Sequence, residues 1–326
     1  MLLSILSKTG FFGKFFQCRV LNAARCITEL HKKETPLIFY DEPVIRPPAE
    51  ADSLILQATI GCRHNKCTFC VTYKQKKFRI RDFTELKAEI DWVARRSYGI
   101  RKVFLGDGDA LAIPTDALIH LLNYIREMLP EVKKIAIYAS PGNFSEKSVG
   151  DLIRLKKAGL TLAYVGFESG DDDTLQRINK GFTASQMATL MEKPNAAGLK
   201  LSTTVILGLA GPQSMQRVAE NTARLIDRVQ PRFASALTLM LPLGEGPYRR
   251  HWPDEWRMLK PAETLRELRY LVNAIDGDKI IFRANHASNY LPVEGTFRKG
   301  KTRMLAQIDD ALNGVQSLRP EFLRGL

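Results

Sequence analysis

No stretch of the 326 residues approaches the run of roughly 18 apolar positions that a membrane-crossing helix needs, so the sequence predicts no integral membrane segment. Cysteine is scarce, and three of the five fall between positions 62 and 70. That is neither the number nor the spacing of a secreted disulfide framework. It suits a reducing compartment where clustered thiols bind metal, and it predicts a cytoplasmic protein. Internal repeats and low-complexity segments are missing too, which excludes a solenoid. Acidic residues are absent before Glu29, while Lys8, Lys14, Arg19 and Arg25 precede it. Those first 30 residues read either as a transit-type or membrane-surface helix or as a start codon assigned too far upstream. Acids are missing again between Arg63 and Arg81, where seven basic residues stand.

Apolar residues make up 45% of the chain, ample for a buried core, and charged residues 25%. The formal net charge is +13. Residues 63–102 hold twelve Lys or Arg against four Asp or Glu. Such a patch attracts nucleic acid, phosphorylated ligands or an acidic protein, or is simply a solvated face.

From residue 53 onward the pattern alternates between strand and helix. Strands are predicted at 53–60, 102–106, 134–140, 162–167, 199–209 and 233–241. Helices are predicted at 83–98, 114–128, 145–157, 171–179, 184–197, 213–229 and 261–276. Short apolar strands between amphipathic helices indicate a parallel sheet under helical cover. No G-x-G-x-x-G follows the first strand, which disfavours a dinucleotide-binding sheet. The expected fold is α/β, a partial (β/α)6 TIM-like barrel with a short C-terminal strand-helix extension. A seventh, edge strand is predicted at 279–284 and a last helix at 298–314. The expected divisions are an N-terminal extension (1–48), a core barrel (49–260) and an extension closing the barrel (261–326).

In a parallel α/β fold the chemistry collects at the carboxyl ends of the strands. The loop "GCRHNKCTFC" (61–70) falls there, after the first strand, with Cys62, Cys67 and Cys70. Three thiolates on one loop suit an iron–sulfur cluster with one iron left open. A zinc ion would need a fourth ligand, for which His64 is the nearest candidate, and free thiols are the remaining alternative.

The loop resembles that of the radical S-adenosylmethionine (radical SAM) enzymes, with C-x4-C-x-Phe-C where the family usually has C-x3-C-x-aromatic-C. The resemblance covers most of residues 53–245 and lies nearest the branch of methylthiotransferases and oxygen-independent coproporphyrinogen oxidases. It implies that Cys62, Cys67 and Cys70 hold a [4Fe-4S] cluster. Electron transfer through it would cleave S-adenosyl-L-methionine (SAM), and the 5′-deoxyadenosyl radical would abstract hydrogen from a substrate. By the same resemblance Phe69 packs beside the adenine. The turn "LGDGDAL" sets Asp107 and Gly108 over two glycines of the SAM-amine turn, after Gly106, and Asp109 over its acid. In "VGFESGDDDTLQRINKG", Glu168 contacts the SAM ribose or amine, Ser169 supports it, and Lys180 faces the carboxylate. "VILGL" resembles the strand beside the adenine, with Leu207 at its centre, and "LPLGEGPYRR" is similar to the turn after the sixth strand.

Taken as residues alone, Asp171 to Asp173 suit a helix N-terminus, whose dipole favours acids. Ser140 and Asn143, after the third strand, either meet the ribose or substrate or cap a helix. Asn285, His286, Ser288, Asn289 and Tyr290 form a polar group after the seventh strand, suited to substrate contacts. The expected partners are a small-molecule, anionic substrate and an acidic electron donor such as a flavodoxin or ferredoxin docking on the basic stretch. The alternatives are an RNA-modifying member of the family and a non-catalytic zinc or iron–sulfur module that binds RNA.

Overall fold

The computed structural model describes residues 38–97, 99–253 and 255–325, so the expectations for the first 30 residues lie outside the described part. The chain divides into two compact units, Met1–Phe39 and Tyr40–Leu326. Everything below concerns the second.

Strands β1 (Leu54–Gln57), β4 (Lys102–Gly106), β5 (Lys134–Ala139), β6 (Leu160–Glu168), β7 (Lys200–Leu207), β8 (Phe233–Thr238) and β9 (Ile281–Ala284) lie side by side in that order. All are parallel, and β10 (Val293–Thr296) closes the row antiparallel to β9. The first and last strands are not paired, so the barrel stays open. Apolar strands with little alternation, such as "KIAIYA", are buried on both faces, as a helix-covered parallel sheet requires. Helices α1 (Phe83–Arg96), α2 (Thr115–Met128), α3 (Pro141–Glu146), α4 (Val149–Ala158), α5 (Asp172–Arg177), α6 (Ala184–Ala196) and α7 (Met215–Val229) connect the strands. A short α8 (Gly246–Arg249), α9 (Pro261–Ala274) and α10 (Phe297–Leu312) complete the unit.

The expected partial barrel is borne out, with three differences of detail. The first strand ends at Gln57. Residues Thr59–Ile60 (β2) leave the sheet and pair with Arg79–Ile80 (β3) in a two-stranded antiparallel ribbon. The break falls at Ala58, whose carbonyl accepts the Arg81 N–H instead of a sheet bond. This ribbon pinches residues 61–78 into one closed loop. Second, the helix expected at 145–157 is two helices, because the Ser148 side chain accepts the Asp151 N–H and starts α4 afresh. Third, the strand at 281–284 is internal, because "VEGT" adds an edge strand that has too little apolar alternation to be read from sequence.

Candidate active site

The cysteine loop is held at its base by a buried charge cluster. Asp107, fully buried at the end of β4, accepts hydrogen bonds through Oδ2 from Gln57 Nε2 (3.1 Å), the Gly61 N–H (3.1 Å) and Lys76 Nζ (2.9 Å). Lys76 is itself nearly buried, and its ammonium also reaches the carbonyls of Asp41 and Pro43 (2.8 Å for the latter). Asp107 thus ties β1, β4, the ribbon and the 41–43 segment together. The next glycine is needed for space, since a Cβ at Gly108 would stand 2.5 Å from the Tyr73 ring.

The far side of the loop reaches across to the turn after α5. The Thr68 N–H donates to Ile178 O (3.0 Å), and His64 Nε2 donates to Asn179 O (2.7 Å). His64, the candidate fourth zinc ligand, thus commits its Nε2 to this bridge. Asn65 adopts φ +40, and its Nδ2 donates to Tyr73 O (2.7 Å). The turn aims the backbone N–H groups of Asn65 and His64 at the Cys62 sulfur. Burial raises the Cys62 thiol pKa, those two N–H groups pull it down, and Asp109 adds to the rise.

The bridge brings Cys67 to Glu168 and Lys180. Glu168 sits at the bulge ending β6 with φ +66, and its Oε1 accepts from Lys180 Nζ at 2.9 Å. A Cβ at Gly166 would lie 2.1 Å from that oxygen, so glycine there lets the carboxylate fold back over the strand. Burial pushes the Cys67 thiol up to about 11, opposed by Lys180 and reinforced by Glu168. For Lys180, burial works against the charged form, but Glu168 and Cys67 outweigh it and the pKa rises.

Asp109 is fully buried, and neither of its side-chain oxygens has a hydrogen-bond partner. Among the described residues its ion pair is with Arg63 Nε at 3.3 Å, and Arg63 also pairs with Glu146 at 2.9 Å. Arg63 escaped notice in the sequence because it read as one member of a basic run. Cys62, Cys67, Cys70, Asp109, Glu168 and Lys180 are therefore brought to one edge. Among the described residues, no three His, Cys, Asp or Glu side chains are gathered at single-ion spacing.

Several of the other expected residues have visible structural partners. Ser169 is fully buried, and its Oγ accepts the Asp171 N–H (3.1 Å). Asp171 caps α5 through the Thr174 N–H (3.1 Å), as a helix N-terminus favours. Asn143 Oδ1 accepts the Ser140 N–H (2.7 Å) at the start of α3, while its Nδ2 is buried without a partner. Phe69 is half-buried between two of the thiols, and Leu207 is buried at the end of β7. In the C-terminal group, Ser288 Oγ accepts the Thr238 N–H (3.2 Å) and Asn289 Oδ1 accepts from Thr238 Oγ1 (2.8 Å). These bonds lock the β9–β10 loop onto β8. A cavity of about 450 Å³ lies elsewhere, between α5, α6 and α7, where Arg217 is already paired with Asp171.

The sequence profile described as Radical SAM superfamily matches residues 56–221, just over half of the chain. The chain belongs to the radical SAM superfamily. It is an enzyme of that class, and the superfamily implies a [4Fe-4S] cluster and SAM. Among curated relatives, a tRNA-2-methylthio-N(6)-dimethylallyladenosine synthase of Dehalococcoides mccartyi is 27% identical over 180 residues, covering 53% of this chain and 41% of that one. The heme chaperone HemW of Bacillus subtilis is 24% identical over 131 residues, covering 39% and 34%. This chain thus spans about two fifths of the length of the first relative it matches. Among solved structures, the radical SAM methyltransferase TsrM from Kitasatospora setae, with cobalamin and a [4Fe-4S] cluster bound, superposes with TM-score 0.50 at 14% identity, over 80% of this chain and 61% of that one. At that identity the likeness concerns the fold.

Proposed function

We propose that this radical SAM enzyme holds its [4Fe-4S] cluster through Cys62, Cys67 and Cys70 and uses it to generate a radical that abstracts hydrogen from a small, anionic substrate. The observation that carries the reading is the convergence of three thiols on one loop with the buried Asp109 carboxylate and the Glu168–Lys180 pair. The residues fit the cofactors. Separated thiols suit a cluster with several irons better than one zinc, whose sulfurs would each lie about 2.3 Å from the ion. Asp109 Oδ1, which has no partner, suits an ammonium, and Oδ2 meets Arg63 Nε at 3.3 Å.

When bound, the cluster and SAM supply reductive cleavage of the S–C5′ bond to methionine and a 5′-deoxyadenosyl radical. The chain's own groups do the positioning. Asp109 and Glu168 receive the amine and ribose hydroxyls, Lys180 neutralises the methionyl carboxylate, and Leu207 and Phe69 flank the base. The Asn143 Nδ2–H and Ser140 face the ribose or substrate, and Gly106 to Gly108 set the turn. The Asp107–Lys76 cluster keeps the loop closed so that water stays out of the reaction volume.

The basic stretch is less uniform than its sequence suggests. Arg63, Lys76, Arg79 and Arg81 are tied to carboxylates, which leaves Lys66, Lys74 and Lys77 exposed on the cysteine loop. We assign those three lysines to docking an acidic electron donor such as a flavodoxin or ferredoxin. Residues 261–326 extend the core barrel of 49–260 on the β9 side, and unpaired thiols suit a cytoplasmic setting. A second reading, RNA modification, is favoured by the likeness to tRNA-modifying relatives.

The test is anaerobic reconstitution with iron and sulfide, then dithionite and SAM. Formation of 5′-deoxyadenosine by the wild type, lost in Cys67→Ala, is the expected result. A protein that takes up zinc and cleaves no SAM under any reductant overturns the reading. Addition of unmodified tRNA, with a search for a modified nucleoside, separates the second reading from the first.

A further inference from the structure

The inner wall of the open barrel carries polar groups that the fold itself does not use. The register sets Tyr164, Ser202 and Phe233 in one row across β6, β7 and β8, and β9 continues that row with Ile281. Tyr164 packs with Phe104 and Tyr138, with ring centroids 5.9 and 6.1 Å apart, and Phe233 lies against the same cluster. This identifies the inward face. Two residues further on, the same face presents Gly166, Thr204, Ser235 and Arg283, again as one row. Residues on the opposite face, such as Thr203, Ala234, Ala236, Phe282 and Ala284, are at most 1% exposed beneath the helices. Thr204, Ser235 and Arg283 are only half-buried.

Arg283 has no carboxylate partner and no hydrogen bond among the described residues. Its contact is with Phe233, whose ring centroid lies 5.0 Å from the guanidinium carbon. The hydroxyls of Thr204 and Ser235 are likewise without hydrogen bonds among the described residues. The register sets Glu294 of β10 opposite Arg283, but that carboxylate is exposed and accepts from Asn285 Nδ2 (2.9 Å), so the five guanidinium donors stay unspent. At the other end of the row, the Glu168 carboxylate folds over Gly166 and joins Lys180 beside Cys67. Three strand spacings separate the two ends, roughly 14 Å along the sheet.

We propose that Arg283, flanked by the Ser235 and Thr204 hydroxyls, anchors a carboxylate of the substrate, so that the reacting carbon is presented toward the Cys67 end of the row. The proposal rests on the radical SAM reading of the site and adds the substrate class. A single unpaired guanidinium matches a monoanionic, planar carboxylate in charge and in fork geometry, and a phosphate dianion would need a second cation that the row does not offer. The aromatic floor of Tyr138, Tyr164 and Phe233 accommodates an apolar body behind the acid group.

The probes are benzoate and its neutral isostere benzamide, with phenyl phosphate as the dianion, titrated by calorimetry against the reconstituted full chain. Benzoate is expected to bind about tenfold or more tightly than benzamide, as a charge-assisted bond implies, with phenyl phosphate no better than benzoate. Arg283→Gln should erase the difference, and Arg283→Lys should restore part of it. Equal binding of benzoate and benzamide by the wild type, or no binding of either, overturns the proposal, as does a wild-type preference in Arg283→Gln. Wild-type formation of 5′-deoxyadenosine from SAM, measured on the same preparation, separates the two failures. If it occurs, only the anchor is wrong; if it does not, the reading of the site falls first.

Discussion

The Glu168–Lys180 pair shows how one residue's setting decides its chemistry. Both side chains are about nine-tenths buried, and each supplies the other's counter-charge beside a thiol. Lys180→Gln removes the cation paired with the Glu168 carboxylate among the described residues. The expected cost is about 1–3 kcal/mol, read from urea denaturation of the metal-free protein. SAM binding to the reconstituted variant should weaken about tenfold or more, since the methionyl carboxylate then meets no cation. Retained stability and retained affinity together would remove Lys180 from the site. Sequence resemblance indicated both residues, but it did not indicate Arg63. That guanidinium matters because it lies 3.3 Å from Asp109, a relation between a loop after β1 and a turn after β4.

At the scale of elements, the cysteine loop is a unit with a stem and two anchors. The β2–β3 ribbon forms the stem, Lys76 with Asp107 anchors the base, and the bonds from Thr68 and His64 anchor the far side to residues 178–179. The base is the costlier anchor to lose. Lys76→Met leaves the buried Asp107 carboxylate without its cation, which should cost about 3–5 kcal/mol, measured as a lowered denaturation midpoint. The same variant should release iron faster from the reconstituted protein, followed by chelator competition. The strand and helix pattern was readable because apolar residues recur at strand and helix periods. The ribbon was not, because its two-residue strands continue an apolar run on one side and lie in a basic run on the other. Likewise β10 holds only four residues with a glycine among them, and only its pairing with β9 makes it a strand.

Across the whole molecule, the helical layer also acts on the strand ends. Glu267 on α9 is fully buried and accepts the Gly208 N–H at 2.8 Å, just past β7. Burial raises its pKa from 4.5 to about 8, opposed by that N–H. The folded state therefore keeps a proton that the unfolded chain has released, across the window from pH 4.5 to about 8. Stability from this group is fully present below that window and is lost as the pH rises through it. Glu267→Gln keeps the acceptor for Gly208 and removes the titration. Its melting temperature should exceed that of the wild type at pH 8 and converge with it near pH 4.5, by scanning calorimetry. Parallel melting curves over that range would show that the carboxyl titrates alike in the folded and unfolded chain, so that burial does not raise its pKa. No helix among the described residues is long and apolar enough to cross a membrane.

Local patterns sufficed for the alternation of strands and helices, the position of three thiols after the first strand, and the acid and lysine that follow β6. Each depends on residues close together along the chain. Three things depended on distant segments meeting: the closure of the loop by Asp107 and Lys76, the reach of His64 to Asn179, and the row from Gly166 to Arg283. Spacing along a chain records which face a residue takes within its own element. Which other face it meets is set by strand order and register, and those exist only once the sheet has formed.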